Sequence, residues 1–213
     1  MQPTLQLHHG VQRLTPSALL YVPKSLPPSA PLIVLLHGAG GDAGQFIEDF
    51  RSDADREGAL LLAVQSSGRT WPHDRQSDSP DIGNIDAAVA TAQRSASIDK
   101  GRVIVVGFSD GASFALTVGL ADPATFRGIV ALSAAFALGP PQIDPTQRIF
   151  ISHGRTDPVL PFANVRDRLV PALKRAGYQP EVRWFNGGHA IDPDALKAGI
   201  RFALGEAPGS SHR

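Results

Sequence analysis

From residue 31 onward, short apolar runs alternate with segments of helix length, and this alternation restricts the chain to few architectures. The runs are Leu32–Leu36, Ala59–Val64, Val103–Gly107, Gly128–Leu132, Ile149–Ser152 and Val182–Phe185. Nearly all are free of charge, as expected for parallel strands covered on both faces. Val182–Phe185 carries Arg183 and predicts a strand nearer the sheet edge. Two weaker segments, Leu5–His9 and Ala18–Val22, read as antiparallel strands at the start. Helices are expected over Gln45–Glu57, Ile82–Gln93, Ser109–Leu120, Val165–Ala176 and Pro193–Leu204. In the first, Phe46, Phe50 and Ala54 recur every four residues; the last opens with Asp192 as N-cap and Pro193 at its first position. The pattern predicts an α/β class chain, with one doubly wound, mostly parallel sheet and helices on both faces. Residues 1–205 read as a single domain, and residues 206–213, rich in Gly, Pro and Ser, as a flexible tail.

Composition narrows the function. The 213 residues include 20 basic and 20 acidic side chains, for zero formal charge and no long like-charge run. Neither nucleic acid nor an anionic membrane surface is therefore an expected partner. No stretch approaches the roughly 20 apolar residues of a membrane span. There are no cysteines, which removes disulfides, thiolate metal sites and cysteine nucleophiles together. The N-terminus lacks a basic-then-apolar leader pattern. A cytoplasmic protein is the default expectation, although a secreted enzyme can also lack cysteine. A homodimer is left open.

The strongest chemical signal is Gly107-Phe108-Ser109-Asp110-Gly111, which follows the run Val103–Val106 and opens an Ala-rich helix. A G-x-S-x-G sequence in strand–turn–helix context forces its serine into a strained backbone angle, and small neighbours avoid clashes there. Ser109 is thus the candidate nucleophile, placed at a helix N-terminus that favours negative charge. The plainer alternative is a Gly-rich turn with Ser109 as an ordinary N-cap.

A serine that transfers acyl groups needs two donors for the oxyanion. One is the backbone N–H following the nucleophile, here Asp110; the other comes from the first strand-to-helix loop, His37-Gly38-Ala39-Gly40-Gly41, with Ala39 the natural choice. A Gly-rich turn can also cradle phosphate, but this one lacks the Lys-Ser/Thr of a P-loop and the G-x-G-x-x-G spacing. His37 precedes the serine and reads as a structural hydrogen bonder.

Chains with this elbow order their triad serine, acid, histidine. His189 follows the last run through Asn186-Gly187-Gly188 and is the candidate base. His8 and His9 come too early, His212 lies in the tail, and His153-Gly154 reads as a turn leading to the acid. Asp157 occupies the slot between serine and histidine, although an Asp-Pro pair also starts turns. Asp144 lies before its strand, and Asp192 and Asp194 are explained as helix cap and first-turn acid. A surface histidine and a turn aspartate are the plainer readings of His189 and Asp157.

Together these segments resemble the carboxylesterase and acyl-protein thioesterase (phospholipase/carboxylesterase) family of small lidless α/β hydrolases. The resemblance lies in Gly-Phe-Ser-x-Gly at 107–111, His-Gly-x-x-Asp-Pro-Val-x-Pro at 153–161 and Gly-Gly-His-x-Ile at 187–191. Leu-His-Gly-Ala-Gly-Gly-Asp-Ala at 36–43, Trp71 and Asp99-x-x-Arg102-Val103 are more similar to the polyhydroxyalkanoate depolymerase and feruloyl esterase group. The resemblance spans residues 31 to about 204. It implies an α/β-hydrolase fold and an esterase or thioesterase that forms an acyl-enzyme on a small-molecule substrate, with no metal or organic cofactor. A short Gly/Pro loop between Ser133 and Gln147 replaces a lid, implying an open site for short or medium acyl chains. Trp71 and Phe136 are candidates for the pocket wall, each as readily ordinary packing. Two departures stand out: Asp110 where the thioesterases have Gln, and Ala112 where a second Gly is usual. A carboxylate at 110 is expected to disfavour anionic acyl groups if it faces the pocket. Competing readings are a peptidase or lactone hydrolase on the same scaffold, and an inactive hydrolase-fold binding protein.

Overall fold

A computed structural model of the chain describes residues 7–72, 79–137 and 143–206. Eight strands form one sheet: β1 (Gly10–Thr15), β2 (Ala18–Val22), β3 (Ala30–Leu36), β4 (Leu60–Val64), β5 (Ile98–Phe108), β6 (Gly128–Leu132), β7 (Arg148–Gly154) and β8 (Glu181–Phe185). Their spatial order is β1-β2-β4-β3-β5-β6-β7-β8. β2 runs antiparallel to both β1 and β4, and every pairing from β4 through β8 is parallel.

The side-chain period of two divides the core. Leu32, Val34 and Leu36 face one apolar cluster, while Ile33 and Leu35 face the other. The first cluster is covered by α3 (Asp81–Ser95), α4 (Asp110–Ala121) and α6 (Val170–Arg175). The second lies under α1 (Ala43–Asp49), α2 (Arg51–Glu57) and α7 (Pro193–Ala203). Helices on both faces keep β3, β4, β6 and residues 103–107 of β5 dry, which is why those runs carry no charge. The more exposed start of β5 holds Asp99, Lys100 and Arg102. β8 has β7 as its one neighbour in the sheet and alternates exposed with half-buried positions, as Arg183 foretold.

Three expectations are corrected. The first strand is Gly10–Thr15, not Leu5–His9; residues 5 and 6 lie outside the described residues, and Leu7–His9 are not strand. The turn between Thr15 and Ala18 sets the β1–β2 register, so the strand must abut that turn. The helix expected over Gln45–Glu57 is two helices that meet at Phe50. Phe50 has φ −104° and ψ −1°, with its ring buried 4.8 Å from that of Phe46. No glycine or proline marks the break, so periodicity alone reads through it.

The helix expected over Val165–Ala176 starts earlier, at α5 (Phe162–Asn164), and passes through a π-helical turn, Val165–Leu169, before α6. Pro171 has no N–H to give and its ring crowds the carbonyl four residues back, so the ladder widens just ahead of it. Residues 138–142 of the loop expected to stand in for a lid lie outside the described residues, as does the expected tail beyond Glu206. Glu206 itself accepts hydrogen bonds from Arg102 and Arg201.

Candidate active site

β5 delivers Ser109 to the carboxyl edge of the sheet, and α4 begins at the next residue. Ser109 has φ 57° and ψ −117°, a conformation that costs a non-glycine residue on the order of 1–3 kcal/mol. The flanking glycines make it reachable. A Cβ on Gly107 would collide with the Gly111 carbonyl, and one on Gly111 with the carbonyls of Leu36 and His37. The Ser109 N–H donates to the Leu132 carbonyl at 2.8 Å, tying the elbow to β6.

The structure brings Ser109, His189 and Asp157 into one line across 80 and 32 residues of sequence separation. His189 Nε2 lies 2.8 Å from Ser109 Oγ, and its Nδ1 lies 2.7 Å from Asp157 Oδ2. With Asp157 ionised, Nδ1 carries the proton and Nε2 is left to accept from the hydroxyl. The Phe108 ring packs 5.1 Å from the imidazole.

Asp157 is 8% exposed. Burial pushes its carboxyl up, but hydrogen bonds from His189 and from the Leu160 and Val159 N–H groups outweigh burial and hold it below the usual carboxylate value. Those two backbone donors reach Oδ1 at 2.9 and 2.8 Å. The acid loop is also tied to the histidine loop. Thr156 donates to the Gly187 carbonyl through both N–H and Oγ1, and a Cβ on Gly154 would strike the Gly187 and Gly188 carbonyls.

The rival acids sit elsewhere. Asp144 accepts from Arg127 and Thr146, and Asp192 caps α7 by accepting from Ala195 N–H at 2.8 Å. Asp194 is a first-turn acid of α7.

The loop after β3 abuts the elbow: a Cβ built on Gly38 would stand 3.6 Å from Ser109 Cβ. Ala39 follows, exposed, and the loop is held by Gly41 N–H to the Gly38 carbonyl and Gly40 N–H to the Arg69 carbonyl. His37 is buried at 2% exposure. Its Nδ1 lies 2.8 Å from the Gly38 carbonyl, and its Nε2 accepts from Ser66 N–H at 3.3 Å. It is a structural hydrogen bonder, as its early position implied.

Two expectations about the pocket change. Trp71 is 1% exposed, stacked on Phe114 at 5.1 Å and donating Nε1–H to the His37 carbonyl, so it supports the site from beneath instead of walling it. The Asp110 carboxylate accepts from Trp71 N–H at 2.8 Å, an internal partner that the charge argument did not include. Phe136 is half-buried in the loop after β6.

Two residues escaped sequence reasoning. His153, expected in a turn, lies within β7, fully buried, with Nε2 3.3 Å from Asp157 Oδ2. Its i,i+4 spacing from the acid was the available signal. Ser133, at φ 56°, donates Oγ–H to the carbonyl of Ala190, next to His189, at 3.2 Å, and nothing in the sequence marks it.

Residues 70–203, more than half of the chain, match the phospholipase/carboxylesterase family. The chain belongs to that family. A relative from Nocardia uniformis subsp. tsuyamanensis that carries an esterase name, NocK, is 28% identical over 148 residues, or 65% of this chain and 43% of its own length. The probable feruloyl esterase C of Aspergillus flavus is 29% identical over 172 residues, covering 76% of this chain and 62% of its own. The chain thus spans less than two thirds of either relative. The crystal structure of a Bacillus cereus carboxylesterase superposes with a TM-score of 0.69 at 20% identity, covering 87% of this chain and 92% of that one. At that identity the likeness speaks for the fold: this family member has the α/β-hydrolase architecture.

Proposed function

We propose that the protein is a serine-dependent carboxylic ester hydrolase that works through an acyl-enzyme on short to medium acyl esters or thioesters. The observation that carries this reading is the hydrogen-bonded line Asp157–His189–Ser109, at 2.7 and 2.8 Å, on a serine held at φ 57°. Family membership and the esterase names of its relatives agree with it.

In this reading Ser109 Oγ attacks the ester carbonyl while His189 Nε2 takes the hydroxyl proton. Asp157 stabilises the imidazolium through its Nδ1–H. The Ala39 and Asp110 N–H groups donate to the oxyanion, aided by the α4 N-terminus. Collapse breaks the bond to the alcohol or thiol, which leaves with the proton from His189. Water, deprotonated by the same nitrogen, then releases the acid and restores Ser109. Beyond the ester and one water, the groups in this cycle are the chain's own. A cytoplasmic location accords with a chain without cysteine, and among the described residues no helix is long and apolar enough to cross a membrane.

A panel of p-nitrophenyl esters and acyl thioesters, followed by acid quench and peptide mass analysis, tests the reading. The expected result is turnover of short or medium chains, an acyl adduct on Ser109, and loss of about a million-fold in kcat for Ser109→Ala. Turnover retained in Ser109→Ala, or no turnover of any neutral ester by the wild type, would overturn it.

A further inference from the structure

β7 ends beside a histidine that the triad does not use. His153 is buried at 0% exposure on the strand that leads into the acid loop. Its Nε2 lies 2.8 Å from the Leu160 carbonyl oxygen and 3.3 Å from Asp157 Oδ2. Both neighbours are acceptors while Asp157 is ionised, so the partners assign the ring proton to Nε2. Nδ1 is then an acceptor, and among the described residues it is buried without a donor. An unsatisfied buried nitrogen weakens the fold, and an apolar side chain of similar shape would avoid that loss. What the imidazole supplies instead is one N–H bound to the Leu160 carbonyl of the acid loop, with Asp157 Oδ2 3.3 Å from the same nitrogen.

Those oxygens matter to the acid. Oδ1 of Asp157 accepts from Val159 and Leu160 N–H; Oδ2 faces His189 Nδ1 at 2.7 Å and His153 Nε2 at 3.3 Å. Leu160 joins both ends, since its N–H binds Oδ1 at 2.9 Å while its carbonyl accepts from His153. The His153 ring is flanked by that of Phe162, with 6.3 Å between centroids.

We propose that His153 is a positioning residue for the acid: its Nε2–H, held by the Leu160 carbonyl at 2.8 Å and lying 3.3 Å from Asp157 Oδ2, fixes the bearing of the carboxylate toward His189 and draws off part of its charge. The proposal rests on Asp157 being the triad acid. Without this donor the carboxylate is freer to turn, and kcat falls. More charge is also left on Oδ2, which favours the imidazolium of His189 and moves the acid limb of kcat/KM to higher pH. The titratable groups that face Asp157 are His153 from β7 and His189 from the loop after β8.

The test is the pH dependence of kcat and KM on one neutral ester for wild type, His153→Leu and His153→Gln, with Asp157→Asn in parallel. His153→Leu is expected to lose about tenfold or more in kcat, with KM within about threefold, and its acid limb to move up. The Gln amide reaches the Nε2 position, so His153→Gln restores the limb and most of kcat. Should the Leu variant fail to fold, His153→Asn, whose amide stops short of that position, replaces it in the comparison with Gln. An unmoved acid limb, or equal impairment of the donor-lacking variant and His153→Gln, overturns the proposal. Wild-type turnover in Asp157→Asn overturns the triad reading itself, and this proposal with it.

Discussion

The Asp110 carboxylate accepts a hydrogen bond from the backbone N–H of Trp71 at 2.8 Å, so the residue after the elbow serine buttresses the loop after β4. Trp71 in turn donates Nε1–H to the His37 carbonyl and stacks on Phe114. Removing the acceptor strands a part-buried N–H. Asp110→Ala is therefore expected to cost about 1–3 kcal/mol, whereas Asp110→Asn, which keeps an acceptor oxygen, costs much less. Thermal unfolding of the two variants decides it. Equal melting temperatures would mean that the contact contributes nothing.

Ser109 stores strain that a glycine would release. At φ 57° and ψ −117° a side chain is penalised, while glycine adopts such angles freely but loses more chain entropy on folding. The net expectation for Ser109→Gly is an inactive protein more stable than wild type by about 1 kcal/mol. Denaturant unfolding measures it; a Gly variant less stable than wild type would show that the elbow is not strained.

Much of this arrangement was legible in the sequence, for reasons that differ by element. β2 and β6 lie where their apolar runs predict, because strands buried on both faces leave no room for a charge. Ser109, His189 and Asp157 were legible because each sits on a loop at the carboxyl edge, bracketed by glycine or proline. The rest depended on contacts between distant parts of the chain. The helices meet at Phe50, a residue type that does not break helices, so nothing local announces the break. Trp71 and Asp110 are 39 residues apart, and only the folded loop shows that they meet. His153 lies in a strand whose uncharged run suggests a dry interior, yet its partners lie in the loop that follows.

Gly154 lies where the acid and histidine loops touch. A methyl group there would collide with the carbonyls of Gly187 and Gly188, the two residues that precede His189. Gly154→Ala should push the two loops apart, with an overpacking cost of about 1–3 kcal/mol. A displacement of that kind between acid and base is expected to lower kcat by about tenfold or more. Steady-state kinetics on folded protein checks this, and an unaltered kcat means that the loops move as a unit.

Asp157 also links the site to stability at low pH. Burial raises its carboxyl, but the donors from His189, Leu160 and Val159 prevail and hold it below its ordinary value. The folded chain thus binds this proton less readily than the unfolded chain does. The resulting stabilisation is fully present above the ordinary carboxylate range and is lost as the pH falls through the lower, folded value. Ser109→Ala and Ser109→Ala/Asp157→Asn form the pair for the measurement, because neither turns over substrate. Between neutral pH and the acid range, the single variant is expected to lose more stability than the double, since Asn cannot ionise. Urea unfolding at a series of pH values reads the difference directly. Parallel curves for the two proteins would show that His189 and the backbone donors do not favour the ionised acid.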